Sequence, residues 1–420
     1  MSICLRVLYF KIYNLQSIIE GSPLKKHLYL LMLTMIIVVS SELQVPAMMS
    51  EMAQDLGVDT GKVGLLVSIF ALGMALGGPV IAYALRHRPP KQALLTVVAA
   101  YAVPEILVPV VHEYWWVVLM RILTGCLAGA AVGLSIVYAT RLAPSTDEIG
   151  ESVSIVLSGI MVGTVVGLPV SHFIAGRWNW QATFYILGAA ALAVFVVSLL
   201  TLAPRSAASA ADSAQDLRNL RLPTLWSRYL VSFLTIGAAY AAFSYFTPLL
   251  EDSAGFSADA TTLILLAYGL CALVGNLVVG KLADKHAVGV LRFGHALLFV
   301  SLGVLALAGQ IQPLVLTMVL VVGLAGVTMN PPLVTRVVEI GGTGNLVSTF
   351  HTSVITLGIT AGTALSAFAI STFGNDPAVA MWTGSTFALL AAVTLALQRN
   401  RKQTRNDEPG RPTDIKVRVS

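Results

Sequence analysis

The chain has 420 residues, of which 56% are hydrophobic and only 11% charged, against about 25% charged in ordinary soluble domains. With a mean hydropathy of +0.80, this composition reads as a helical membrane protein that crosses the bilayer many times and excludes an ordinary soluble domain. The net charge of +5 does not point to nucleic acid, because the basic residues form no stripe with interleaved aromatics. The three cysteines, Cys4, Cys126 and Cys271, are scattered without a CxxC, so no disulfide framework, zinc site or haem attachment follows.

Residues 1–24 set Arg6 and Lys11 among Ile, Leu, Tyr and Phe. No small-residue cleavage site follows, which argues against a secretory signal. An amphipathic surface segment and an overlong gene start are both open readings. The first span, 28–49, is long enough to cross the ~30 Å hydrocarbon core and contains Glu42. Residues 50–61, with Glu51, Asp55 and Asp59, read as a loop. Span 2 covers 62–85 and ends at the basic turn from Arg86 to Lys91; span 3 covers 92–111. Span 4, 115–139, opens on Trp115 and Trp116 as an interfacial anchor. Span 5 runs to residue 175, and span 6 covers 180–202.

Residues 203–224 are polar and rich in Ser and Ala, the one long linker. Six more apolar spans follow near 225–250, 260–283, 288–308, 313–335, 345–373 and 379–398. The expected organisation is a segment 1–27, a six-helix bundle 28–202, a linker 203–224, a second six-helix bundle 225–398 and a basic tail 399–420. If the N-terminus is cytoplasmic, 23 of the 26 Lys and Arg residues fall in inner segments. Lys62 and Arg177 fall outside, and Arg121 lies within span 4. The positive-inside rule therefore puts both termini in the cytoplasm.

The halves repeat. Phe70, Gly73, Gly77 and Ala82 of span 2 each have a counterpart 198 residues on, at Tyr268, Cys271, Gly275 and Gly280 of span 8. Small residues on matching faces allow close helix approach. Cys126 and Cys271 read as small packing residues. In span 5, Gly159, Gly163 and Gly167 repeat every four residues before Pro169, a flat packing face followed by a potential kink.

Strongly ionisable groups within the spans are few: Glu42, Glu105 and Arg121. Counted from the outer helix ends at ~1.5 Å per residue, all three lie roughly 9–11 Å below the rim. A charge at bilayer depth costs about 2.5–3.5 kcal/mol on insertion scales and marks a site by default. A carboxylate balanced between a nearby Arg, which favours ionisation, and desolvation, which opposes it, can take up and release a proton. Glu42 is the leading proton or cation site in this reading, Arg121 its modulator and Glu105, near enough to the rim to be wetted, a second candidate. Gln44, Tyr245, Asn276, Asn330 and His351 fall in spans, either lining a substrate cavity or serving as interhelical glue. His172 reads as interfacial. There is no GxxxxGK[ST], HExxH or GxSxG, and no catalytic or metal-binding constellation.

These residues resemble the major facilitator superfamily, in particular its twelve-helix drug:proton antiporter branch, which includes bacterial sugar-efflux and chloramphenicol-resistance exporters. The resemblance covers residues 28–398. It is carried by Ser41-Glu42-Leu43, by 53–58 (AQDLGV), by Arg121-Ile122-Leu123-Thr124-Gly125, by the span 5 glycines with Pro169, and by Ala182-Thr183-Phe184. The loop motif Gly280, Asp284 and Lys285 keeps the acid that its first-half copy, with Arg86 and His87, lacks. Thr356 and Glu105 stand where the branch often has asparagine.

The resemblance implies an all-α membrane protein of two six-helix bundles around a midplane cavity. It implies proton coupling through Arg121 and efflux through the span 5 motif. The expected protein is a monomeric secondary transporter in the bacterial inner membrane, not an enzyme. It would exchange protons for a small molecule such as a drug or sugar, with the proton gradient as energy source, no cofactor and no nucleic-acid partner. A proton-coupled importer is the alternative.

Overall fold

The computed structural model describes residues 23–85, 87–142, 149–202, 218–341, 345–374 and 376–406. The first 22 residues, Arg86, most of the linker, the end of the tail and the side chains of Asp284 and Lys285 lie outside the described part. Among the described residues the protein is helical throughout. The N-terminal half holds α1 (Pro23–Ala47), α2 (Met49–Leu56), α3 (Thr60–Ala84), α4 (Pro90–Leu107), α5 (Tyr114–Leu142), α6 (Ile149–Arg177) and α7 (Trp180–Thr201). The C-terminal half holds α8 (Pro223–Phe243), α9 (Ala258–Leu307), α10 (Gln312–Ala325), α11 (Asn330–Gly341), α12 (Asn345–Thr372) and α13 (Ala378–Asn406).

Eleven described helices are long and apolar enough to cross a membrane, and a twelfth span arises where Pro223–Phe243 continues, after a 42° bend, into Phe246–Ser253. Four local features differ from the sequence expectation. The loop after span 1 contains the amphipathic helix α2, closed by Gly57 in the left-handed region at φ 62°, where glycine carries no Cβ penalty. Spans 8 and 9 form one element of 50 residues whose one non-helical position is His286. Span 10 is broken at Gly326 by the 3₁₀ turn Val327–Met329. It continues to Gly341, so Arg336, expected in an inner loop, lies inside it and is buried. The last helix runs past 398 to Asn406.

Helix association in a bilayer relies on close packing, since lipid is as apolar as leucine. Here the seams are cut by glycines. A Cβ on Gly159 would sit 2.3 Å from the Met32 carbonyl, and one on Gly167 would sit 2.8 Å from Ser40 Oγ, so the span 5 stripe is the face that meets α1. Between α3 and α5, a Cβ on Gly125 would fall 2.2 Å from the Phe70 carbonyl oxygen. Cys126 packs beside Gly77 and Cys271 beside Gly323 in the same manner.

The halves meet along α3 with α12 and along α6 with α9. Their hydrogen bonds are placed unevenly. At the end of the bundle remote from the linker, here the distal end, Thr247 Oγ1 donates to the Pro46 carbonyl (2.9 Å). Ser50 Oγ donates to Asp252 (3.2 Å), and Ser371 Oγ donates to Asp59 (2.7 Å). Asp59 also caps α3 by accepting from the Lys62 amide (2.8 Å). Farther down α3, nearer its distal tip than its other end, Ser68 and Thr363 share a hydroxyl contact of 2.6 Å. At the linker end, the hydrogen bonds between described residues stay within one half: Lys91 Nζ to the Leu202 carbonyl (2.6 Å), Asn219 to Gly341 (2.9 Å) and Gln398 to Ser227 (2.6 Å).

Candidate functional site

Successive residues of a helix are turned by about 100°. Ser41 and Gln44, three apart, therefore share a face of α1, while Glu42 is turned away from it. Ser41 and Gln44 point into the N-terminal half, where Glu105 of α4 waits. Ser41 Oγ donates to Glu105 Oε1 in a short contact. Gln44 Nε2 donates to Oε2 (3.1 Å), and the Tyr101 hydroxyl, one turn earlier on α4, lies 3.4 Å from Oε1. Glu105 is fully buried rather than wetted at the rim, because α1 and α5 close over it.

Arg121 of α5 is also fully buried. Its Nη1 donates to the Ser41 carbonyl (3.0 Å) and lies 3.4 Å from Ser41 Oγ. Its guanidinium carbon sits 4.2 Å from the centre of the Phe70 ring, a contact strengthened by desolvation. Nε and Nη2 have no protein partner. Ser41 thus stands between cation and acid, accepting from one and donating to the other. The structure brings Arg121, Gln44 and Glu105 together through Ser41, which the sequence reading named only within the motif Ser41-Glu42-Leu43 and assigned no role at the site.

Glu42 is buried and faces the other way, toward the C-terminal half. The Tyr240 hydroxyl of α8 and the Arg121 charge are the groups that act on its carboxylate; Oε1 is enclosed without a partner. Behind Tyr240 stands an aromatic group. Phe243 stacks on Tyr268 (5.2 Å between centroids), and Phe246 meets Tyr268 edge-on (5.5 Å). Tyr240 meets Phe243 at 5.7 Å. Phe243, Phe246 and Tyr268 are buried and Tyr240 is half-buried, and the two tyrosines add hydroxyl handles to apolar ring faces.

The remaining candidates are dispersed. Tyr245 is buried where span 7 bends, its hydroxyl over Gly64 of α3 and without a partner. His351 is bonded to Ser232 Oγ (2.8 Å) and stacked on Tyr229, so it is tied within its own half. Asn276 and Asn330 are half-buried, the latter with Oδ1 unpartnered. Gly280 has open space around it. His295, absent from the sequence reading, is buried and bonded to Thr235 Oγ1 (2.8 Å). His172, expected at the interface with headgroups, is only 1% exposed, because the distal contacts between the halves cover it. Among the described residues no group of three or more His, Cys, Asp or Glu side chains is placed to hold a metal.

The family model of the Major Facilitator Superfamily matches residues 30–345. The chain belongs to this superfamily. As a member it is a multi-pass membrane transporter. It is 29% identical over 354 residues to a chloramphenicol resistance protein of Streptomyces lividans, covering 83% of this chain and 90% of the relative. It is 25% identical to the uncharacterized MFS-type transporter YtbD of Bacillus subtilis (strain 168), over 67% of this chain and 70% of that one. Among solved structures it superposes on a bacterial homolog of the human lysosomal transporter Spinster, in an inward-facing and occupied conformation. That match has a TM-score of 0.72 and 16% identity, and covers 93% of this chain and all of that one. It also superposes on a point mutant of the nucleoside transporter NupG with a TM-score of 0.71 and 12% identity, over 89% and 99% of the two chains. These likenesses carry the superfamily fold: all helical, two six-helix bundles.

Proposed function

We propose that this chain exports a small molecule in exchange for protons. The reading rests on one observation, the buried chain Arg121–Ser41–Glu105 with Glu42 turned from it toward the other half. A carboxylate held out of water near a guanidinium has two opposed pulls of similar size. Motion between the halves alters Glu42's contact with Tyr240 and the solvent access of the N-terminal site, and so changes which pull wins. Protons taken from outside and released inside would then drive the cycle. The relative named for chloramphenicol resistance supports efflux, and the aromatic group behind Tyr240 suits a compact compound with an apolar ring, a drug before a sugar. In this reading the distal end faces out of a bacterial cytoplasmic membrane, both termini are cytoplasmic, and one monomer is the working unit.

The test is uptake of radiolabelled chloramphenicol and a panel of aromatic antibiotics into everted vesicles acidified inside. Wild-type protein accumulates at least one compound when the gradient is imposed; Glu105→Gln and Glu42→Gln lose gradient-driven accumulation but keep downhill exchange. Undiminished gradient-driven uptake by both variants removes these acids from the mechanism. Uptake only under the opposite gradient makes the protein an importer.

A further inference from the structure

His172 lies on α6 about 7–8 Å below the distal rim, where both of its ring nitrogens meet oxygen acceptors. Nδ1 is 2.8 Å from the Ala47 carbonyl at the end of α1. Nε2 is 3.1 Å from the Ala258 carbonyl at the start of α9 and 3.1 Å from Glu251 Oε1. A backbone carbonyl can only accept. A neutral imidazole has a single N–H and would leave one nitrogen's lone pair against these oxygens. Imidazolium donates to both carbonyls and places its charge 3.1 Å from Glu251 Oε1, an oxygen that receives no hydrogen bond of its own. If Glu251 carries the proton instead, the pair still holds one proton more than neutral imidazole facing carboxylate.

Ala47 and His172 belong to the N-terminal half, while Glu251 and Ala258 belong to the C-terminal half. The arrangement therefore exists only while the distal ends are together. We propose that His172 and Glu251 form a second proton-binding site, filled from distal water as the distal ends close and emptied to it as they part. The charged groups facing the pair are all acidic: Glu51 on α2 and, beside Glu251, Asp252, which accepts from Ser50. Asp259 on α9 and Arg177 on α6 are exposed, and α1 offers only its carbonyl. Burial, with the nearby Glu251 and Asp252 charges, lifts the Glu51 carboxyl above its ordinary value, so a second group here also prefers a proton when the end is closed.

Linkage fixes the sign. The closed form binds more protons, so falling pH on the distal side favours closure. Each pKa unit gained on closure changes the closed-to-open ratio by about tenfold for each bound proton. This rests on the exporter reading only in equating the distal side with the cell exterior.

The experiment is a distance measurement by double electron–electron resonance. Spin labels are placed at Glu113→Cys and Gln310→Cys, in exposed distal segments of the two halves, with Cys4, Cys126 and Cys271 replaced by serine. The full chain in nanodiscs is compared at pH 8 and 5.5. The short-distance population is expected to grow as pH falls in this background, to respond less steeply in His172→Gln, where Glu51 still gains a proton on closure, and to shift its transition to lower pH in Glu251→Gln. Elution as a single monodisperse species establishes that each variant is folded. A background without pH response, or the same response in both variants, overturns the proposal. A pH-dependent closure without drug transport would instead defeat the exporter reading alone, and proton-driven transport with pH-independent closure would defeat this inference alone.

Discussion

Arg121→Met is the sharpest probe of the N-terminal site. The substitution keeps much of the length of the side chain and removes its charge. A hydrogen bond from a charged donor is worth about 1.5–3 kcal/mol, and the bond to the Ser41 carbonyl would be lost. The desolvated contact over Phe70 contributes about 2 kcal/mol. Glu105 would remain fully buried without the cation that reaches it through Ser41, and leaving a buried charge uncompensated costs up to about 3–5 kcal/mol in all. Each half is of a size for which 1 kcal/mol moves the melting temperature by about 2–4 °C, so the drop should be roughly 6–20 °C. Thermal unfolding in detergent, followed by tryptophan fluorescence, measures it. Adding Glu105→Gln should recover most of the loss, because a buried amide needs no counter-charge, and the double-mutant cycle gives the coupling. A drop of less than about 2 °C, or no recovery in the double variant, would refute the pairing.

Two further expectations follow from the seams and the distal end. Gly125→Val, whose Cβ would lie 2.2 Å from the Phe70 carbonyl, forces α3 from α5 and should cost at least about 1–3 kcal/mol. Gly133→Ala, with open space around it, should be neutral or slightly stabilising, and unfolding curves of the two side by side check the contrast. For Asp59, burial pushes the carboxyl upward, but hydrogen bonds from Ser371 and the Lys62 amide, with the Lys62 charge, outweigh it and hold it below 3.8. Its contribution is therefore present above pH 3.8 and lost as pH falls through the lowered value. Asp59→Asn should flatten the stability–pH profile below pH 3.8, and an unchanged slope would count against the bond across the halves.

The sequence carried the spans and the common depth of Glu42, Glu105 and Arg121, because rise per residue converts position to depth. It did not carry partnership. Depth says nothing of azimuth, and Glu42 and Ser41 differ by one residue yet face opposite halves. The i, i+3 relation of Ser41 to Gln44 and the i, i+4 relation of Tyr101 to Glu105 were the available clues. His172 was misjudged for a related reason: its distance from the helix end suggested headgroups, whereas Glu251 and Ala258, some 80 residues away in sequence, enclose it. Glu51 escaped notice as part of a site because three acids in a short stretch resemble a solvated loop, whereas the apolar side of α2 turns inward on Met49, Met52 and Ala53.

The hydroxyl pair Ser68–Thr363 sits unevenly along α3, about 12 Å from one tip of that helix and about 24 Å from the other. Were this level to serve as a fulcrum, the two lever arms would differ by a factor of about two. A modest parting at the short arm would then accompany a sweep twice as wide at the long one, so a cargo would leave through a narrower mouth than the one by which it entered.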